Sequence, residues 1–353
     1  MCLLSDTFAQ FSQFEEFNTA RFSRVIGMGN AFTGLADDIE TVYFNTAGLA
    51  GLDYYAAIYS MGHGFAVITN DYTADDLAVI IPAFNKLGIF ALSVDRFKLA
   101  PDALPESTYR DCLYRLHFSR FLFTNFSVGT SLNFYCFYNY NSSPKIMDES
   151  TSNEISGNAF DLSISALYIL PAISFPGFVN ETRFGFQMQN IIDSDMHYSE
   201  NLESNSKHQT LRAGLSTGFV PNIQKQFNLI PIKFIIAADG VFYGSAYKFS
   251  LFQPNFGIEL VLFEILKGRY GRENELVIGD AYEYSPQHPV KRYGLGITIP
   301  LHKFIKGFEK LELSVDYSYS DWDQIDESKS FFPYFYNDLP VRDSFSIKLS
   351  FQN

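Results

Sequence analysis

The chain has 353 residues, room for two ordinary soluble domains or for one large closed sheet. Apolar residues make up 47% of it, yet no stretch approaches the run of about 20 apolar residues that a membrane-spanning helix needs, which excludes helical spans. A net charge of −13 argues against a nucleic-acid partner, because such proteins need a cationic footprint to displace counterions from phosphates.

The first residues, MCLLSDTFAQ, end in small side chains at Thr7 and Ala9, as the tail of a signal-peptide cleavage site would. The apolar region of a signal peptide is missing, so residues 1–9 are read as a remnant whose start lies upstream. Residues 10–52 show no alternation. Gly27, Gly29 and Gly34 mark a turn-rich stretch, and Asp37 and Asp38 precede a helical-looking run that Gly48 or Gly51 could end. Acidic residues in that position complement a helix dipole. The segment is expected to form a compact, partly helical insert.

From about residue 53 to the end, apolar and polar residues alternate with period 2, the mark of strands with two chemically different faces. Phe126, Val128, Thr130, Leu132 and Phe134 interleave with Ser127, Gly129, Ser131 and Asn133. Phe160 to Tyr168 and Leu211 to Phe219 repeat the pattern. So do Tyr293, Leu295, Ile297 and Ile299, and then Leu311, Leu313, Val315, Tyr317 and Tyr319. The count is roughly 14 strands, several near the 10 residues that a tilted strand needs to cross a bilayer. Segments 139–157, 193–207, 281–289 and 321–340 are rich in Asn, Ser, Asp, Glu and Pro and read as loops.

A soluble β-sandwich also alternates, with its apolar face turned inward. Two features favour a transmembrane antiparallel β-barrel. The polar faces carry Ser, Gly, Asn, Thr and Gln rather than Lys and Glu, which suits a crowded, hydrated lumen. The chain also finishes on a strand in which Phe345, Ile347, Leu349 and Phe351 alternate with Ser344, Ser346, Lys348 and Ser350. A terminal aromatic strand resembles the signal read by the outer-membrane assembly machinery. The 17% aromatic content, with 37 Phe and 22 Tyr, fits girdles at the two water boundaries. The expectation is therefore an all-β, outer-membrane barrel over 53–353 with residues 10–52 as a hatch in its lumen.

The residues Arg21, Gly27, Met28, Gly29, Ala31, Phe32, Ala36, Asp37 and Asp38, followed by VYFNTAGL at 42–49, resemble the N-terminal hatch of the FadL superfamily of outer-membrane proteins. The usual pattern there is a GMGGAF-like turn, an ADD-like pair and a YWNPAGL-like end. Asn45, Ala47, Gly48 and Leu49 match the last part, whereas Thr46 replaces the usual Pro and Phe44 the usual Trp. Losing the proline restores a backbone N–H and frees φ. A second likeness lies in Gly257-Ile258-Glu259, Gly268-Arg269-Tyr270-Gly271 and Tyr293-Gly294-Leu295-Gly296, which look like late strands of PorV/PorQ-like members.

The resemblance implies a barrel that passes hydrophobic small molecules, fatty-acid-like or aromatic. Its gate residues would be Gly27, Gly29, Asn30, Asp37, Asp38, Asn45, Ala47 and Gly48. The alternative it implies is a permanently plugged barrel that holds a secretion-machinery protein of the type IX pathway through the loops at 139–157 and 320–340. Outer-membrane lipid is a partner under either.

Catalytic and metal chemistry is scarce. The six histidines show no HExxH or paired spacing, so no metal is implied. Cys2, Cys112 and Cys136 show no CxxC spacing and indicate neither a zinc site nor a disulfide framework. GMGNAF lacks the Lys-Ser/Thr of a phosphate-binding loop, and no cofactor is expected. His117 and Ser119 share a strand face, an arrangement resembling outer-membrane lipid hydrolases, although Arg120 stands where those families usually place Asn. An enzyme built on that pair is the remote alternative; the main expectation is no enzyme.

Overall fold

A computed structural model describes residues 22–66, 69–82, 87–99, 108–142, 152–192, 197–198, 209–221, 232–245, 248–278, 284–308, 310–321 and 343–352. The proposed leader remnant, Arg21, and most of the loops at 193–207 and 321–340 lie outside them.

The period-2 segments form fourteen long strands: β1 Tyr55–Ala66, β2 Thr69–Ile81, β3 Ile89–Leu99, β4 Thr108–Phe123, β5 Phe126–Ser142, β6 Ser152–Ile169, β7 Phe178–Gln189, β8 Gln209–Pro221, β9 Ile232–Ser245, β10 Lys248–Leu262, β11 Leu266–Ile278, β12 Tyr284–Pro300, β13 Lys310–Asp321 and β14 Asp343–Gln352. Each pairs antiparallel with its chain neighbours, and β14 closes on β1 from Tyr55↔Phe351 to His63↔Asp343. The result is a closed 14-stranded antiparallel barrel. Strand ends run further than the composition of the segments suggested. Residues 139–142 and 152–157 belong to β5 and β6, and 284–289 to β12, where the backbone ladder continues past the alternating segments.

Side-chain direction decides what kind of barrel this is. Phe345, Ile347 and Leu349 point outward and are exposed, while Ser344, Ser346, Lys348 and Ser350 are buried in the lumen. The same holds for exposed Tyr293, Leu295 and Ile297 against Arg292 and Thr298, and for Leu132 and Phe134 against Ser131 and Asn133. An apolar outer face over a polar interior is the inverse of a sandwich and suits a wall surrounded by lipid. Aromatic pairs band the end where the short turns lie: Tyr55 stacks on Phe351 at 5.0 Å, Phe175 on Phe178 at 5.0 Å, and Phe178, Phe219 and Phe234 follow one another across neighbouring strands.

The wall is unequal around its circumference. β6 meets β7 only from Ile164↔Met188 to Ile169↔Arg183, and further up Gly157 and Asn158 pair with the two-residue strand His197–Tyr198. Between these, residues 159–163 have no ladder partner on that side among the described residues. The chain leaves β7 at Asn190, whose φ is +58°, and side-chain and loop bonds take over from the ladder: the Ile191 N–H donates to the Leu162 carbonyl at 3.0 Å, the Ile192 N–H to the Asp161 carboxylate at 3.1 Å, and the Tyr135 hydroxyl to Asn190 Oδ1 at 2.9 Å.

Residues 22–52 lie inside the barrel. They form a short helix α1, Ser23–Gly27, a second, α2, Thr41–Phe44, and a 3₁₀ turn, Thr46–Gly51. Phe22, Val25, Ile26, Met28, Phe32, Ile39, Val42, Tyr43, Phe44 and Leu49 pack into one cluster, which rests on Ala56, Ile58, Ala78, Ile80, Ala91, Ile235 and Ala237 of the wall. Those wall residues form the largest apolar patch of a lumen whose described inner face is mostly Ser, Asn, Asp and Arg, with further buried apolar side chains at Leu113, Tyr135, Phe137, Leu167 and Val241.

Candidate functional site

A segment this short cannot satisfy its own backbone, and the wall does it instead. Asp239 on β9 accepts the N–H groups of Phe32 at 2.9 Å and Thr33 at 2.7 Å. Arg183 donates to the Leu35 carbonyl at 2.9 Å, Ser216 to Gly34 at 3.0 Å, and Gln189 to Tyr43 at 3.3 Å. The plug is thus held by side chains reaching inward from several different strands.

The eight gate candidates fall into three groups on the inner wall. Gly27, Gly29 and Asn30 lie on β10, β11 and β12. The φ of Gly29 is +61°, and a Cβ there would sit 2.7 Å from the Phe256 carbonyl oxygen. Gly271 on the wall is in turn so close to the Gly29 N–H and the Met28 carbonyl carbon that no side chain fits between them, and Gly27 faces Gly294. Of the late-strand glycines picked out from the sequence, Gly257, Gly271 and Gly294 are the surface on which the hatch turn rests, backbone against backbone, whereas Gly268 faces open space and Gly296 faces Asp316. Asn30 also takes φ +59° and donates from Nδ2 to Glu273 at 2.7 Å.

Asp37 and Asp38 form the second group. They do not cap α2, whose first turn holds no acidic residue and whose N-cap position is Glu40. The expected dipole role gives way to ion pairing, because a cation lies within reach. Arg24 Nη1 lies 2.6 Å from Asp37 Oδ1 and 3.0 Å from Asp38 Oδ2, and Lys348 on β14 reaches Asp38 Oδ2 at 2.7 Å. The other edge of the Arg24 guanidinium grips Glu259, which Arg269 also holds at 2.6 Å, and Arg269 continues to Asp316 at 2.6 Å. Burial opposes the charge on Arg24, but Asp37, Glu259 and Asp38 outweigh it and hold the guanidinium well above its ordinary range. Burial likewise pushes the Asp38 carboxyl up, and Lys348 and Arg24 more than reverse this, leaving it well below the usual carboxylate range. At Glu40 the same two cations, Lys348 and Arg24, are outweighed. Burial and then Asp38 raise it to about 8, and only the Val25 N–H, at 3.2 Å, reaches its Oε2.

Asn45, Ala47 and Gly48 form the third group. Asn45 Nδ2 donates to the Thr33 carbonyl at 2.8 Å and the Ala166 carbonyl at 3.1 Å, and its Oδ1 accepts the Ala47 N–H at 3.2 Å. Ala47 N–H also meets Ser165 Oγ at 2.9 Å, and its carbonyl accepts from Ser119 at 3.0 Å and Ser127 at 2.8 Å. Gly48 packs inside the plug against Ala36 and Thr41. At the two departures from the family pattern, the substituted residues find partners: Thr46 Oγ1 lies 2.7 Å from Ser131 Oγ and 3.4 Å from His117 Nδ1, and the Arg212 guanidinium stacks over the Phe44 ring at 4.8 Å.

His117 and Ser119 do share the lumenal face of β4, but their hydrogen bonds go to other partners and not to each other. His117 is bonded through Nε2 to Ser93 at 3.0 Å and through Nδ1 to Ser131 at 2.8 Å, while Ser119 donates to the Ala47 and Val128 carbonyls. Both sit under the plug with no exposed surface. Among the described residues no group of three or more His, Cys, Asp and Glu is placed to hold a metal.

A cavity of about 420 Å³ opens beside the plug at the short-turn end. It is lined by Arg24, Asp37, Asp38, Glu259, Lys267 and Lys348 among others, and so is charged rather than apolar. It opens on the ionic face of the plug, and Ile235 of the apolar patch is part of its lining.

No protein-family model and no curated protein matches the chain. Solved structures resemble it in outline. A FadL homologue of Pseudomonas aeruginosa aligns at 10% identity and TM-score 0.46 over 94% of this chain and 98% of that one. The toluene transporter TbuX of Ralstonia pickettii aligns at 11% and 0.47 over 95% and 98%, and the monoaromatic hydrocarbon channel CymD at 10% and 0.42 over 94% and 97%. At such identities and scores the likeness says nothing about what this chain carries.

Proposed function

We propose that the chain is a bacterial outer-membrane barrel of the FadL type that lets hydrophobic small molecules cross when the plug, residues 10–52, shifts in its lumen. The observation that carries this reading is the apolar patch of Ala56, Ile58, Ala78, Ile80, Ala91, Ile235 and Ala237, which the plug covers in a mainly polar lumen. A barrel that conducts only water and ions has no use for a greasy inner surface, whereas a fatty-acid-like or aromatic solute lowers its transfer cost by binding one. The hatch resemblance from Gly27 to Leu49 supports the same family. In this reading Gly27, Gly29 and Asn30 are the pivot on the glycine surface, Asp37 and Asp38 the ionic latch, and Asn45, Ala47 and Gly48 the hydroxyl-bound anchor. The short β6–β7 seam offers a way into the bilayer for a solute that has left the plug's patch.

The ion pairs of Arg24 favour a second reading, in which the plug never moves and the barrel holds a secretion-machinery protein through its loops. One experiment separates the two. Ser23 Oγ lies 2.9 Å from Ser346 Oγ, so Ser23→Cys with Ser346→Cys, in a Cys112→Ser, Cys136→Ser background, should staple α1 to β14. Uptake of a long-chain carboxylate and of toluene into liposomes holding the barrel is then compared before and after oxidation. Uptake that stops on oxidation and returns with reductant supports the moving plug; uptake indifferent to the staple, or absent in both states, refutes it.

A further inference from the structure

Cys112 on β4 and Cys136 on β5 stand directly opposite each other in the antiparallel ladder, as register partners. Their neighbours Asp111, Leu113, Tyr135 and Phe137 are buried toward the lumen, and both cysteines, half-buried, therefore point to the outer face. Both are free thiols in this structure. Directly paired residues of an antiparallel ladder have Cα atoms about 4.5 or 5.5 Å apart, inside the range of about 4.4–6.8 Å spanned by disulfides. Two side chains on the same side of one register pair thus need no movement of the backbone path to meet, only rotation about χ1 and a small local twist. The 23 residues between them in the chain hide this proximity, which exists only because the Thr124-Asn125 turn folds β4 onto β5 in this register.

We propose that Cys112 and Cys136 are joined in the mature protein by a disulfide across β4 and β5. The bond rests on the outer-membrane reading, since a chain that crosses the periplasm meets oxidising conditions that a cytosolic chain does not. The thiolate of one cysteine attacks the disulfide of an exported dithiol oxidase, giving a mixed disulfide. The second thiolate then displaces the oxidase. One S–S bond forms between the two Sγ atoms, two protons leave, and the oxidase's disulfide takes the two electrons and becomes two thiols. The oxidation fits the stage before insertion, because the pair faces the lipid side of the finished wall, four positions from the last described pair, Thr108↔Tyr140. The staple would hold the tall outer ends of β4 and β5 together where they rise toward the 143–151 connection.

The test uses the full chain extracted from cell membranes and denatured with a maleimide in the absence of reductant. Digestion and mass spectrometry should give a peptide linking Cys112 to Cys136, with both residues taking label only after reduction. Cys112→Ser should leave Cys136 labelled at once. In a second arm the purified chain is refolded in detergent with reduced and oxidised glutathione, which should form the same linkage without any cellular compartment. Complete labelling of both cysteines before reduction, or linkage of either to Cys2, overturns the proposal. Membrane fractionation of the same cells reads localisation separately, so a barrel found in the outer membrane with both thiols free overturns the disulfide and leaves the localisation intact.

Discussion

Arg24 of the plug and Glu259 of the wall form a two-pronged ion pair, Nε to Oε2 at 3.0 Å and Nη2 to Oε1 at 2.7 Å, inside the barrel. A buried charge left wholly unpaired costs about 3–5 kcal/mol; the loss here is smaller, because Arg269 still holds Glu259 and Asp37 and Asp38 still hold Arg24. Arg24→Met is expected to lower the temperature at which the folded, fast-migrating band is lost on gels and to make the 22–52 segment sensitive to added protease. Arg24→Met with Glu259→Leu should be less damaging than the two single losses added together, since the pair acts as one unit. Additive losses would show that the guanidinium draws its hold mainly from Asp37 and Asp38.

The pH dependence of the plug turns on Glu40. Its carboxyl is raised from the ordinary 4.5 to about 8, so between these values the folded state holds a proton that the unfolded state has released. Stability from this group is full below about pH 4.5 and falls as pH rises through about 8. Glu40→Gln keeps an oxygen for the Val25 N–H and removes the titration. It should match the parent near pH 5 and exceed it in unfolding midpoint near pH 9. Equal midpoints at pH 9 would mean that Glu40 is ionised without cost.

Thr46 is the first residue of a 3₁₀ turn, preceded by an Asn45 in extended conformation with φ −160° and ψ 87°. Proline suits that first position, and the residue before a proline prefers such an extended backbone. Thr46→Pro therefore loses the hydroxyl bond to Ser131, worth about 0.5–1.5 kcal/mol, against a comparable gain from a stiffer unfolded chain. Denaturant titration should find the variant within about 1 kcal/mol of the parent, whereas Thr46→Ala, with the loss alone, should be the less stable of the two.

Gly29→Ala adds a methyl where φ is positive and where the Phe256 carbonyl leaves no room. The strain of the left-handed conformation alone is about 1–2 kcal/mol, and the clash adds to it. Gly29→Ala should loosen the plug, read as faster hydrogen exchange of amides in 22–30 while exchange in β1 and β14 stays unchanged.

The barrel was legible because a wall with lipid outside and water inside writes its two faces into every second residue, as Phe345 to Ser350 shows. The lack of alternation before residue 53 set a segment apart from the strands, and its described part, residues 22–52, lies inside the barrel. Its attachments were not legible. Asp239, Arg183, Ser216 and Lys348 are single polar residues on the inner face of ordinary strands, and nothing local separates them from Ser318 or Ser320. Their roles depend on which plug atom arrives opposite them, a relation across 148 to 310 residues. For the acidic pair, position ahead of a helix suggested a dipole partner, but Arg24, 13 residues before Asp37, and Lys348, 310 residues after Asp38, are the cations they meet. Cys112 and Cys136 became neighbours only through register.

The wall patch of Ala56, Ile58, Ala78, Ile80, Ala91, Ile235 and Ala237 has a consequence for the order of events. Such a surface stays dry beneath one apolar body at a time, the plug's own Phe and Ile side chains or a solute of like polarity. Under the proposed transport reading, plug and solute would exclude each other, and every contact that seats the plug more firmly would weaken apparent solute affinity by the same free energy. The return of the plug would also drive the solute off. Closure and delivery would become a single step, needing no energy source beyond the competition for that surface.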